Sequence, residues 1–168
     1  MKTTIFAALL PIIFALPGQY SIAQDANWFP VQGSIQTKWA SNISPDNLYD
    51  VYPRPTLQRE QWMNLNGLWR FATTDRNAEH AGKYQRYILV PFAPESNLSG
   101  VGIKVTPHDK IWYKREFYLP EDWSGKFIKL HFGASDYETT VFINGKKVGQ
   151  HRGGYDPFSF DITYFLNE

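Results

Sequence analysis

The chain has 168 residues, of which 43% are hydrophobic, 17% aromatic and 20% charged, and it contains no cysteine. That is enough for one globular domain with its own core and too short for a (β/α)₈ enzyme of roughly 250 residues. A net charge of +1 lacks the basic excess of a nucleic-acid-binding domain, and the absence of cysteine excludes a disulfide scaffold, a thiolate zinc site and a cysteine nucleophile.

The first residues read as an address. Met1-Lys2-Thr3-Thr4 gives a short positive start, Ile5 to Leu16 is apolar apart from Pro11, and Pro17-Gly18 breaks the run. Ser21-Ile22-Ala23 then offers small residues where a signal peptidase reads, so residues 1–23 are expected to be a signal peptide cleaved after Ala23. An apolar run of about a dozen residues falls short of the roughly 20 that cross a bilayer, so no membrane span is expected. Cleavage removes Lys2 and no acid, leaving equal numbers of basic and acidic groups. The predicted destination is the periplasm or the extracellular space.

Residues 24–58 are rich in Asn, Gln, Ser and Pro without a sustained period, and residues 24–50 read as an extended arm docking onto a domain of residues 51–168. Pro45, Pro53 and Pro55 forbid a continuous helix there. From Leu65 onward the pattern is β. Leu68–Phe71 follows the turn dipeptide Asn66-Gly67, and Tyr87–Val90 is stopped by Pro91. Ile111–Leu119 alternates, and Phe127–Phe132 places Ile128, Leu130 and Phe132 on one face. Thr139–Ile143, Asn144-Gly145 and Lys146–Val148 predict a hairpin with a type I′ turn, because Asn-Gly tolerates φ > 0 at both central positions. Phe158, Phe160 and Ile162 alternate again. Helical turns are expected only near Arg59–Met63 and Ile162–Leu166. Short strands at about ten-residue spacing predict an all-β jelly roll or sandwich.

Candidate chemistry is sparse. His80, His108, His131 and His151 share no metal-ligand spacing, and no nucleophile elbow, phosphate loop or dinucleotide fingerprint is present, so neither metal nor cofactor is expected. Asp136 and Glu138 lie two apart before a strand and could serve as paired carboxylates, although solvated loop charge is the simpler reading. The densest stretch runs from Asn144-Gly145 to His151-Arg152-Gly153-Gly154-Tyr155-Asp156-Pro157-Phe158, where a hairpin feeds a tight turn at Gly153-Gly154. Sugar sites combine an aromatic face with charged and amide groups that bond hydroxyls. The same residues could equally pack a core and satisfy a turn, and their chemistry alone leaves both readings open.

These residues resemble a known family. Leu65-Asn66-Gly67-Leu68-Trp69-Arg70-Phe71, Val90-Pro91-Phe92-Ala93-Pro94-Glu95-Ser96, Trp112-Tyr113-Lys114-Arg115, Val141-Phe142-Ile143-Asn144-Gly145 and the run from His151 through Thr163 are similar to the N-terminal jelly-roll domain of glycoside hydrolase family 2. The resemblance covers roughly residues 51–168. It implies a galactose-binding-domain-like β-sandwich belonging to a secreted enzyme that hydrolyses terminal β-linked sugars, β-galactosidase- or β-glucuronidase-like. It also implies immunoglobulin-like and barrel domains further along the same protein, with both catalytic glutamates in the barrel. On that reading these 168 residues are an N-terminal fragment lacking the last jelly-roll strand, with no catalytic residue and no activity alone. Its partner is a β-glycoside, with no role for nucleic acid. The resemblance offers His151, Arg152 and Tyr155 as substrate contacts, with Asn144, Gly145, Gly153, Gly154 and Asp156 shaping the loop. The loop is similar to that of β-glucuronidases, whereas large bacterial β-galactosidases carry an Asp near the place of Gly153. A free-standing carbohydrate-binding module and a structural sandwich domain are the alternatives.

Overall fold

The computed structural model describes residues 28–33, 36–48 and 51–167. The expected signal peptide and its cleavage site lie outside the described residues. Among the described residues there are seven strands: β1 (Gly67–Asp75), β2 (Arg86–Val90), β3 (Asp109–Lys114), β4 (Lys129–Phe132), β5 (Glu138–Ile143), β6 (Lys146–Arg152) and β7 (Phe158–Asp161). Every strand pairing is antiparallel, and no α-helix occurs among the described residues. The chain is all-β, as its spacing predicts. The described residues group into two compact units, one ending at Arg115 and the other beginning at Glu116.

The first unit is built on a three-stranded sheet in the order β2-β1-β3. Its central strand is covered on both sides, so Phe71 and Ala72 are both buried although they point to opposite faces. Phe71, Ile88 and Val101 form the core, with Trp69, Val90, Ile103 and Ile111 packed around it. β2 stops at Val90, since Pro91 cannot donate to a ladder. Residues 28–31 lie against the turn at 97–102: Val31 N donates to Asn97 O at 3.0 Å, and the Trp28 ring sits where a side chain on Gly100 would stand.

The alternation of Ile111–Leu119 is cut short. β3 ends at Lys114, and the Arg115 guanidinium turns back to donate to the carbonyls of Leu65 (3.1 Å) and Asn66 (2.9 Å). Burial of that guanidinium holds its pKa below the usual arginine range. Alternation specifies two faces but supplies no partner strand, and residues 115–120 lie outside the strands. The helical turn expected at Arg59–Met63 is likewise absent; a short 3₁₀ turn occupies Pro55–Leu57 instead, where Pro sits favourably in a first turn.

The second unit holds two two-stranded sheets, β4-β7 and β5-β6. Ile128, Val141 and Ile162 are its buried aliphatics. The β5-β6 turn has Asn144 at φ 50° and Gly145 at φ 77°, the type I′ geometry its sequence predicts. Asn144 also donates from Nδ2 to Phe165 O at 2.8 Å, tying the turn to the 3₁₀ helix Thr163–Phe165. β6 runs four residues beyond the expected Val148. Val141 pairs with Gly149 and Phe142 with Lys147, so Val148 is an extra residue, a β-bulge. Beyond it, Gly149 and His151 face β7. A Cβ on Gly149 would collide with the Phe160 ring, so glycine lets β6 and β7 approach.

Candidate functional site

The strand period sorts the charged end of the hairpin. Gln150 and Arg152 lie on the solvent face of β6, each opposite a polar partner on β5: Gln150 Nε2 donates to Thr140 Oγ1 at 3.0 Å, and Arg152 Nη2 to Glu138 Oε2 at 3.1 Å. The Arg152 and Glu138 side chains are 71% and 46% exposed, so their ion pair contributes only about 0–1 kcal/mol and leaves the guanidinium accessible.

His151 goes the other way. Its ring stacks on Phe158 with centroids 4.1 Å apart and planes 15° apart, and Phe158 stacks in turn on Phe132 at 4.7 Å. The Nε2 of His151 is buried, without a hydrogen-bond partner among the described residues, and faces Gly153. Adjacent strand residues point to opposite faces, and Arg152 takes the outer one. His151 packs beneath the loop.

The loop itself is drawn tight. Gly153 has φ 136°, a region that favours glycine, and its N–H donates to Tyr137 O at 2.9 Å. A Cβ on Gly154 would come within 2.7 Å of Asp136 Oδ1, so this glycine lets the loop rest on that carboxylate. Asp136 and Glu138 thus have separate tasks, one beneath Gly154 and one on Arg152, rather than facing a common point. Asp156 is exposed before Pro157. Tyr155 is 95% exposed and Tyr137, on the adjoining strand end, 66%.

The sequence reading missed Tyr137. Counting back from the Asn144-Gly145 turn, with the one-residue bulge included, places residue 137 opposite residue 153, but the bulge itself carries no clear signature. The resulting surface has two exposed tyrosines, an accessible guanidinium and two carboxylates on loops joined by a main-chain bond. No group of three or more metal-binding side chains occurs among the described residues.

The domain is all-β and presents exposed aromatic faces beside planar polar groups. Residues 62–168 match the family described as glycosyl hydrolases family 2, sugar binding domain, and the chain belongs to that family. A β-glucuronidase of Paenibacillus borealis is 31% identical over 119 residues, covering 67% of this chain and 20% of that protein. A β-galactosidase of Thermoanaerobacter pseudethanolicus is 30% identical over 117 residues, covering 62% of this chain and 14% of that one. Among solved structures, a β-glucuronidase from an uncultured Clostridium species superposes with a TM-score of 0.52 at 26% identity, over 67% of this chain and 21% of that one. The apo β-glucuronidase of Ruminococcus gnavus gives 0.50 at 27%, over 70% and 21%. The chain spans about a fifth of the length of such β-glucuronidases.

Proposed function

We propose that this chain is the sugar-binding domain of an exported family 2 β-glycosidase that hydrolyses terminal β-linked sugars, β-glucuronidase- or β-galactosidase-like, with retention. Residues 51–168 are that domain, residues 24–50 its arm and residues 1–23 a signal peptide removed on export to the periplasm or beyond. The immunoglobulin-like and barrel domains are its partners in the same protein, and the barrel supplies the nucleophile and the acid/base.

The observation that carries this reading is the pair of loops joined by Gly153 N–H and Tyr137 O, with Tyr137 and Tyr155 exposed beside Arg152. Tyrosine rings offer faces for the C–H surface of a sugar, and Arg152 offers forked donors for hydroxyl or carboxylate oxygens. His151 supports the loop from below. Retaining hydrolysis needs two carboxyl groups about 5–5.5 Å apart across the scissile bond. Asp136 and Glu138 are committed elsewhere, which supports catalytic carboxylates outside this chain.

The test is turnover of nitrophenyl β-glucuronide and β-galactoside by the complete gene product and by residues 24–168 alone. The complete protein is expected to cleave at least one of them, with an NMR time course showing the β-anomer released first. Residues 24–168 are expected to cleave neither. Turnover by the short chain that survives repurification and disappears in Asp136→Ala or Glu138→Ala overturns the proposal.

A further inference from the structure

Two cavities on the first unit share a wall. One, of about 300 Å³, is lined by Trp28, Phe29, Gln85, Arg86, Tyr87 and Gly100. The other, of about 360 Å³, again includes Gln85 and Arg86, together with Lys83, Lys104 and Asp109. Each lies near the lower end of the roughly 300–1,000 Å³ typical of ligand sites. The shared residues, at the start of β2, join them into one groove with an aromatic end and a cationic end.

The cationic end carries an excess of positive charge, with Lys83, Arg86 and Lys104 set against Asp109. Lys83, Arg86 and Lys104 are exposed, and none forms an ion pair among the described residues. The one carboxylate there, Asp109, already accepts hydrogen bonds from Thr106 N at 2.8 Å and Thr106 Oγ1 at 2.7 Å. At the aromatic end Phe29 is 72% exposed, and the indole N–H of Trp28 is buried without an acceptor among the described residues.

Aromatic faces beside amide and guanidinium groups suit sugar rings, whereas three unpaired cations call for anionic substituents on the ligand. A neutral glycan would leave those cations unused. A single-stranded nucleic acid also combines rings with anions, but a chain with nearly balanced charge in a family of sugar-binding domains favours a saccharide. We infer that this groove binds an acidic oligosaccharide, with sugar rings against Phe29 and Tyr87 and anionic groups on Arg86, Lys83 and Lys104. The inference rests on the family assignment and the groove, not on the loop of the second unit.

The experiment is titration calorimetry of the complete gene product with a galacturonic acid hexamer, a sulfated dextran oligosaccharide, maltohexaose and a single-stranded oligothymidylate. The galacturonate is expected to bind, to weaken about tenfold in Arg86→Gln and in Phe29→Ala, and to weaken further as salt rises. Lys146→Gln, which removes an exposed cation from the second unit, should leave this binding unchanged, so that any loss tracks the groove rather than net charge. Sulfated dextran binding with the same variant dependence assigns the cations to sulfate as well as carboxylate. The inference is overturned if neither acidic saccharide binds, if maltohexaose binds equally well, or if both variants bind like the wild type. Oligothymidylate binding as tightly with the same variant dependence also overturns it.

Discussion

Arg152 and His151 are neighbours in sequence with opposite fates, and single substitutions should separate them. Arg152→Ala removes an exposed ion pair and should change unfolding free energy by less than about 1 kcal/mol. Gly149→Ala forces a methyl group against the Phe160 ring and should cost about 1–3 kcal/mol, read as a lower denaturant midpoint at constant m. An unchanged midpoint would mean that β6 and β7 can move apart freely. Tyr113 gives a pH signature. Partial desolvation of its phenol, in a side chain that stays 37% exposed, together with the negative charge of Glu95 pushes its pKa up to about 12. The unfolded phenol ionises near pH 10, so the unfolded state releases its proton first and stability should fall progressively between about pH 10 and 12. Tyr113→Phe should flatten that part of the stability profile, and an identical alkaline slope in both proteins would contradict the partial desolvation assigned to it.

The elements differ in how openly the sequence declares them. The β5-β6 hairpin is written into Asn144-Gly145, because few residues other than Asn and Gly accept φ > 0 at both central turn positions. The strands themselves are marked by alternation, but their ends are not. β1 continues through Thr73 and Thr74 to Asp75 because β3 pairs with it there, and β3 stops at Lys114 because Arg115 turns back to the Leu65 and Asn66 carbonyls. Both boundaries depend on residues distant in sequence, 34 to 38 positions away for the end of β1 and 49 to 50 for the end of β3. The same limit hid Tyr137, whose place beside Gly153 depends on the bulge at Val148. Thr163 shows how such long-range ties hold a unit together. Its hydroxyl donates to Asp161 Oδ1 at 2.6 Å and accepts from Ile128 N at 2.8 Å, joining the end of β7 to the approach to β4. Thr163→Val keeps the shape but leaves the Ile128 N–H without its acceptor, which should cost about 1–3 kcal/mol in unfolding free energy. A variant as stable as the wild type would show that this hydroxyl link is dispensable.

For the molecule as a whole, the β units are a scaffold that places a few side chains on the exposed loop proposed to meet the sugar. The hairpin register sends Arg152 outward, the two glycines fold the loop over Asp136, and the stacked His151, Phe158 and Phe132 rings support it. On this account the loop serves the substrate of a larger enzyme rather than the stability of the domain. The most direct measurement is kcat/KM for a nitrophenyl β-glycoside, together with Tm, in the complete gene product and its Arg152→Ala variant. Loss of a hydrogen bond to a charged group is worth about 1.5–3 kcal/mol, so kcat/KM should fall about ten- to a hundred-fold while Tm stays nearly constant. Wild-type kinetics with a lowered Tm would make the loop a structural brace and contradict its assignment to the sugar.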